Sequence, residues 1–279
     1  MRALITGSKG QLGTEFVRLF EKNGWDYAAV DVGELDISDG DAVLKAVLPY
    51  RPGLILNCAA YNLVDKAESE PKPAFAVNAE GVRNLAFAAR QLESKLVHFG
   101  TDYVFDGEKR SPYAESDAVS PLNEYGRSKL KGEGYALECP GSLVLRLSWV
   151  YGRGTQNFMY KLLGWAEKPG PLRVVEDEIS VPTFAGDIVF AVMEALTAGL
   201  TGRWHLSGGE PCSRYEWAKA VLEARGIKKE VLPAKMADFP SAARRPGYSA
   251  MNNSALCGEL SLKFPHWRDS VGKFVRENK

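Results

Sequence analysis

Thr6-Gly7-Ser8-Lys9-Gly10-Gln11-Leu12-Gly13 decides how this chain of 279 residues folds. The apolar run Ala3-Leu4-Ile5 precedes it. Leu12, Phe16, Leu19 and Phe20 recur behind it at helical spacing and predict a helix over 11–22. Strand, glycine turn and helix form the setting that a dinucleotide fingerprint requires. The spacing is Gly-x-x-Gly-x-x-Gly. Gly7 and Gly10 let the backbone turn and approach a pyrophosphate, Gly13 lets the helix lie against a sheet, and the free N–H groups of the helix start face the phosphates. A second apolar run, Tyr27-Ala28-Ala29-Val30, ends on Asp31. An acidic residue about 20 positions past the glycines suits the ribose 2′-hydroxyl of NAD and repels a 2′-phosphate. No arginine follows until Arg51. NADH is therefore favoured over NADPH, with a turn-capping role the alternative for Asp31.

Apolar runs alternate with helical patterns through the first half. Gly53 to Asn57 reads as a buried strand, and Pro73 to Leu92 as a long helix with Phe75, Val77, Val82, Leu85 and Ala89 inward. A strand over 95–99, a helix ending near Leu137 and a strand over 142–147 follow. The pattern predicts an α/β fold, a Rossmann-type doubly wound parallel sheet. Residues 1–150 would form the dinucleotide-binding domain. Residues 151–279 would form mainly a smaller C-terminal substrate-binding lobe, with some segments returning to the first domain. Helices are expected over 185–197 and 213–225, strands near 172–175 and 203–206, and an irregular loop over 235–253.

Lys and Arg total 35, as do Asp and Glu, so no net charge steers the chain to nucleic acid or an anionic membrane. No apolar stretch is long enough to span a bilayer. A first strand starting at Arg2 leaves no length for a signal peptide. Cys58, Cys139, Cys212 and Cys257 are scattered without a Cys-x-x-Cys pair, which argues against zinc and against a disulfide framework. A reducing, cytoplasmic setting is expected. His98, His205 and His266 share no ligand spacing, and no metal is expected. His98 and His205 fall in expected strands and read as structural.

Tyr125-Gly126-Arg127-Ser128-Lys129 places a phenol and an ammonium one helical turn apart on one face. A fixed positive charge there is expected to lower the phenol pKa and fit it for proton transfer. Thr101 follows the fourth strand, at the sheet edge where ligands bind in parallel sheets. Its hydroxyl would polarise a substrate carbonyl, Tyr125 would protonate the same oxygen, and Lys129 would bind the nicotinamide ribose. Asn78 lies in the helix flanking the cofactor, where it either bonds backbone near the site or is an ordinary polar residue.

Glycine loop, Thr101 and Tyr-x-x-x-Lys together resemble the extended short-chain dehydrogenase/reductase superfamily. The dTDP-4-dehydrorhamnose reductase family within it is the closer resemblance. Gly7 to Gly13, Asn57-Cys58-Ala59-Ala60-Tyr61, Val64-Asp65-Lys66-Ala67-Glu68, Thr101 to Gly107, Tyr125 to Lys129, Ser148 to Gly152 and Pro182-Thr183 carry it. The resemblance implies reduction of the C4 ketone of a dTDP-linked 6-deoxysugar by NADH or NADPH. Thr101, Tyr125 and Lys129 would be catalytic. Gly10, Gln11, Leu12, Asp31, Asp36, Ile37, Ala60, Tyr61 and Asn62 would line the cofactor site. Thr101, Asp102, Tyr103 and Trp149 would contact the nucleotide sugar, Trp149 as an aromatic wall. Asn62-Leu63 stands where the family more often has Thr-Ala. Some members hold magnesium between subunits through glutamates; Glu15 matches one, with no counterpart near Pro182-Thr183. A homodimer is compatible with the resemblance. The Arg244-Arg245 loop would hold a diphosphate or be solvated. A dehydratase would place Asp-Glu after the threonine, where this chain has Asp102-Tyr103. An epimerase, a reductase of another 4-ketosugar, and a non-catalytic subunit like that of methionine adenosyltransferase are the other readings.

Overall fold

Strands that helices cover on both faces need apolar side chains at every position, not at alternate ones. The computed structural model, which describes residues 2–277, has this pattern at its centre. β1 (Ala3–Thr6), β3 (Leu54–Asn57) and β5 (Leu143–Leu147) are buried at every residue. With β2 (Tyr27–Val30), β4 (Lys95–Thr101) and the strand Gly202–His205 they form one sheet. Its order is β2-β1-β3-β4-β5 and then Gly202–His205, parallel throughout.

Alternate strand residues feed two cores. Ile5, Leu56 and Leu145 meet Phe16 and Phe20 of the helix Gln11–Asn23 and Ile188 and Val192 of the helix Ala185–Thr197. Leu4, Ile55 and Val144 meet Val43, Val82, Leu85 and Ala136 of the helices Gly40–Tyr50, Gly81–Leu92 and Glu124–Leu137. A third core gathers Trp149, Tyr151, Phe184, Trp217, Trp267 and Phe274. It is built on the helices Phe158–Ala166, Arg214–Ala224 and Trp267–Glu277. Residues 185–205 thus leave the third core and rejoin the main sheet, and the last two residues of the chain lie outside the described ones.

The helix expected over 73–92 is present without a break over 71–92, but it is not α throughout. It runs as α-helix over Pro71–Phe75, as π-helix over Ala76–Glu80 and as α-helix again over Gly81–Leu92. The wide turn rotates the stripe, so Val82, Leu85 and Ala89 are buried while Phe75 and Val77 are only half-buried. π-Turns of this kind cluster at functional sites. Here the turn carries the buried Asn78.

The sheet order reverses between β1 and β3, and the loops after these strands part to leave a crevice. Gly7 has φ +62°, and a Cβ on it would lie 2.5 Å from Ala59 N. A Cβ on Gly13 would lie 2.2 Å from Gly7 O. Neither contact is with a flexible side chain that can yield. Gly13→Ala is therefore expected to cost about 1–3 kcal/mol as backbone overpacking. It should also weaken binding of a nicotinamide dinucleotide, measured by thermal melting and fluorescence titration. An unchanged melting temperature with unchanged affinity would contradict this packing.

Candidate active site

Gly10 occupies the N-cap of the helix Gln11–Asn23 without a side-chain cap, and the first turn holds no acidic residue. The helix's free N–H groups are thus open to an anion. A groove of about 330 Å³ lies beside it, lined by Gly7, Gly10, Asp31, Asp36, Ile37, Ala60, Tyr61 and Asn62. Gly13 does not line it; it packs on the loop backbone beneath. Asp31 Oδ2 accepts from Lys9 N at 2.9 Å and Oδ1 from Val32 N at 2.9 Å, so its carboxylate shapes the turn while it faces the groove. Asp36 is braced by Ser38 N and Oγ. The glycine cradle, the uncapped helix and the acidic rim fit a dinucleotide.

A cavity of about 310 Å³ continues from the groove. It is lined by Gly10, Gln11, Leu12, Ala60, Asn62, Thr101, Asp102, Tyr103, Tyr125, Lys129 and Trp149. Thr101 is the last residue of β4 and Tyr125 the second of the helix Glu124–Leu137. That helix turns an unusual buried stripe toward the sheet, Ser128, Lys129 and Glu133 with three small residues. Lys129 Nζ donates to Phe99 O at 2.6 Å. Tyr125 OH donates to Asn62 Oδ1 at 3.5 Å, the position that carries the departure from the family pattern. Asn78 Oδ1 accepts from Tyr61 N, while its Nδ2 donates to Tyr61 O and to Ser128 Oγ at 3.0 Å. Of the two roles open to Asn78, it takes the backbone one and sews the groove to the helix.

The electrostatics correct one expectation. The Tyr125 phenol is raised beside Lys129, not depressed. Desolvation raises the phenol to about 12, with the Thr101 hydroxyl offsetting part of the rise and Asp102 adding to it. Tyr125 therefore keeps its proton at neutral pH. Burial also lowers Lys129 to about 8, against a raising pull from Glu133. The i,i+4 spacing puts both groups on one cavity, and desolvation is the largest cause of the shift in each. Asp102 is buried and raised to about 6 by desolvation. Its Oδ2 accepts from Ser180 Oγ at 3.0 Å and Ser249 Oγ at 2.5 Å, and its Oδ1 from Thr101 Oγ1 at 3.3 Å. Asp102 thus spends its carboxylate on three hydroxyls of the protein.

Beyond the cavity a pocket of about 630 Å³ is lined by Lys161, Arg173, Arg214 and Arg245 against the single carboxylate Glu178, with Trp149, Trp165 and Phe239. Trp149 has φ +39°, a strained backbone for a bulky residue. Its ring stacks with Trp217 and carries the Arg214 guanidinium at 3.6 Å, and its buried Nε1 has no partner. The expected aromatic wall is therefore partly covered by a cation. Arg245 faces the pocket; Arg244 is exposed and contributes its carbonyl to Asn123. Glu15 pairs with Arg153 at 3.3 Å. His98 and His205 are buried among hydrogen bonds, His98 to Asn57 and His205 to Tyr113 O. Gln156 lines groove, cavity and pocket alike and was not anticipated, because it sits on an irregular loop without a motif. Arg214 was also missed. Yet Ser213 and Glu216 form a capping box, a readable signature that places Arg214 at a helix start.

The geometry predicts that Lys129 titrates near 8. Its ammonium should dominate at neutral pH and be lost as pH rises through that value. An NMR titration of carbon-labelled lysine side chains reads this directly; a midpoint at the ordinary lysine value near 10.5 would contradict the burial argument.

A family model described as RmlD substrate binding domain matches residues 1–279. A Sinorhizobium fredii protein named dTDP-4-dehydrorhamnose reductase is 38% identical over 289 residues, 99% of this chain and 97% of that one. A Streptomyces antibioticus protein named as a probable dTDP-4,6-dihydroxy-2-methyloxan-3-one 4-ketoreductase is 36% identical over 275 residues, covering 97% and 93% of the two chains. The crystal structure of a Bacillus anthracis dTDP-4-dehydrorhamnose reductase in complex with NADP superposes with a TM-score of 0.96 at 34% identity, over 99% of each chain. The parallel sheet, the glycine cradle and a match along the whole length agree, and the chain belongs to the RmlD substrate binding domain family.

Proposed function

We propose that this protein is a reductase that uses NAD(P)H to convert the C4 ketone of dTDP-4-dehydro-L-rhamnose to the alcohol of dTDP-L-rhamnose. One observation carries the reading. Thr101, Tyr125 and Lys129 line one cavity that opens on one side to the glycine-loop groove and on the other to the cation-lined pocket. A nucleotide sugar whose diphosphate lies among Arg214, Arg245 and Lys161 places its sugar in the cavity. The glycine-loop groove would hold the reduced nicotinamide cofactor, whose chemistry when bound would be to supply the hydride. Tyr125, protonated well past neutral pH, donates its proton to the ketone oxygen as that oxygen gains charge. The Thr101 hydroxyl, whose resting acceptor is Asp102 Oδ1, donates a second hydrogen bond to the same oxygen. The ammonium of Lys129, fixed on Phe99 O, then stabilises the phenolate that Tyr125 leaves behind. Between the two cofactors, NADH is favoured, because Asp31 faces the groove at the ribose end and Glu34 holds Lys9 at 2.7 Å.

The reductase of another 4-ketosugar is the second reading, supported by the relative named for a different dTDP-linked ketone. An epimerase would leave the cofactor unconsumed. The expected outcome with dTDP-4-dehydro-L-rhamnose is net oxidation of the reduced cofactor, with a higher kcat/KM for NADH than for NADPH. No oxidation with either cofactor would overturn the substrate assignment. Tyr125→Phe should lose about 10²–10⁴ of turnover, the usual weight of a general acid, while still binding cofactor. Full activity in that variant would reassign the proton donor.

A further inference from the structure

The motif Val64-Asp65-Lys66-Ala67-Glu68 folds as the short helix Val64–Ser69, and nothing in the chemistry above uses it. It begins two residues after Asn62, and its first residue, Val64, lines the catalytic cavity. Two of its carboxylates leave it in different directions. Glu68 Oε1 accepts from the backbone N–H of Glu124 at 2.7 Å. Glu124 is the first residue of the helix that carries Tyr125 and Lys129. Its own carboxylate is turned back on Arg127, so it does not close that helix end. Asn123, fully buried, takes Gly126 N at 2.8 Å with its Oδ1 and gives its Nδ2 to Arg244 O at 2.8 Å. Asp65 completes the knot. Its Oδ1 accepts from Ala243 N at 3.1 Å and its Oδ2 from Arg245 Nη2 at 2.7 Å. The Arg245 hydrogen bond holds the Asp65 carboxyl below its ordinary range, so it stays charged through the neutral region.

We propose that Glu68 and Asp65 are positioning residues, Glu68 for Tyr125 at the proton-donating end and Asp65 for Arg245 at the diphosphate end of the site. A helix start has unpaired N–H donors and partial positive charge, which a carboxylate satisfies twice over. Fixing the Glu124 amide fixes the Asn123–Glu124 peptide, the one immediately before the peptide that enters Tyr125, and so the first turn that sets the height of its ring above the cavity. Asp65 holds the Arg245 fork at the rim of the pocket, facing where an anionic ligand enters. One helix of six residues therefore registers the two ends of the substrate site against each other. The inference rests on the reading of Tyr125 as proton donor.

Steady-state kinetics on the full-length protein with NADH and dTDP-4-dehydro-L-rhamnose separate the two roles. Glu68→Leu should lose about 100-fold in kcat, the scale of a small misplacement of a reacting group, with KM for both substrates nearly kept. Glu68→Gln, which retains an acceptor for Glu124 N, should recover most of that loss. Asp65→Ala should raise KM for the nucleotide sugar about tenfold, with kcat changed far less. A wild-type kcat in Glu68→Leu, or a Glu68→Gln variant as impaired as the leucine one, overturns the assignment. Should Glu68→Leu fail to fold, Asp65→Ala decides: a fall in kcat at unchanged KM overturns it. Full activity in Tyr125→Phe would instead defeat the proton-donor reading on which this inference stands.

Discussion

The ammonium of Lys129, pressed against the carbonyl of Phe99 inside the protein, is the contact on which the site depends. Burying a charge is costly unless hydrogen bonds and a partner offset it. The carbonyl and the carboxylate of Glu133, one turn along the same helix, provide that offset. Glu133 is in turn gripped by Arg146 Nε at 2.9 Å and Nη2 at 2.7 Å, and by Arg203 Nη1 at 3.1 Å. Arg146 stands on β5 opposite Gly100 of β4, so the network bolts the helix to the strand end that presents Thr101. The buried Lys129, Glu133 and Arg146 thus tie the helix Glu124–Leu137 to β4 and β5.

The rest of the site is a continuous trench along the carboxyl edge of the sheet. Its three compartments differ in charge as their proposed occupants do. The groove is rimmed by Asp31 and Asp36 with Lys9, the cavity holds hydroxyls with the Lys129 ammonium and the buried Asp102, and the far pocket gathers four cations against Glu178. The reversal of strand order at β1 and β3 opens the first compartment, and the third core builds the last.

Much of this was legible in the residues. The continuous apolar runs marked the buried strands, the glycines marked the turn, and the four-residue step from Tyr125 to Lys129 marked the helix face. What was not legible has physical causes. The helix Gly40–Tyr50 shows a buried stripe of only Val43 and Val47 and contains Pro49, so periodicity alone does not reveal it. The π-turn is a shift of hydrogen-bond register, invisible in an apolar pattern, and it carries Asn78, which bonds Tyr61 and Ser128. The direction of the Tyr125 shift depends on how much water surrounds the phenol, which spacing does not report. Arg214 over Trp149 joins segments 65 residues apart, a contact that only the folded third core creates.

In the proposed reaction, hydride from the groove and a proton from Tyr125 meet on the two atoms of one carbonyl. Product formed from dTDP-4-dehydro-L-rhamnose with a cofactor deuterated at the transferring position tests this most directly. NMR should find the label on C4 of the sugar alone. Label at any other carbon, or cofactor recovered with its deuterium intact beside a changed sugar, would contradict the account.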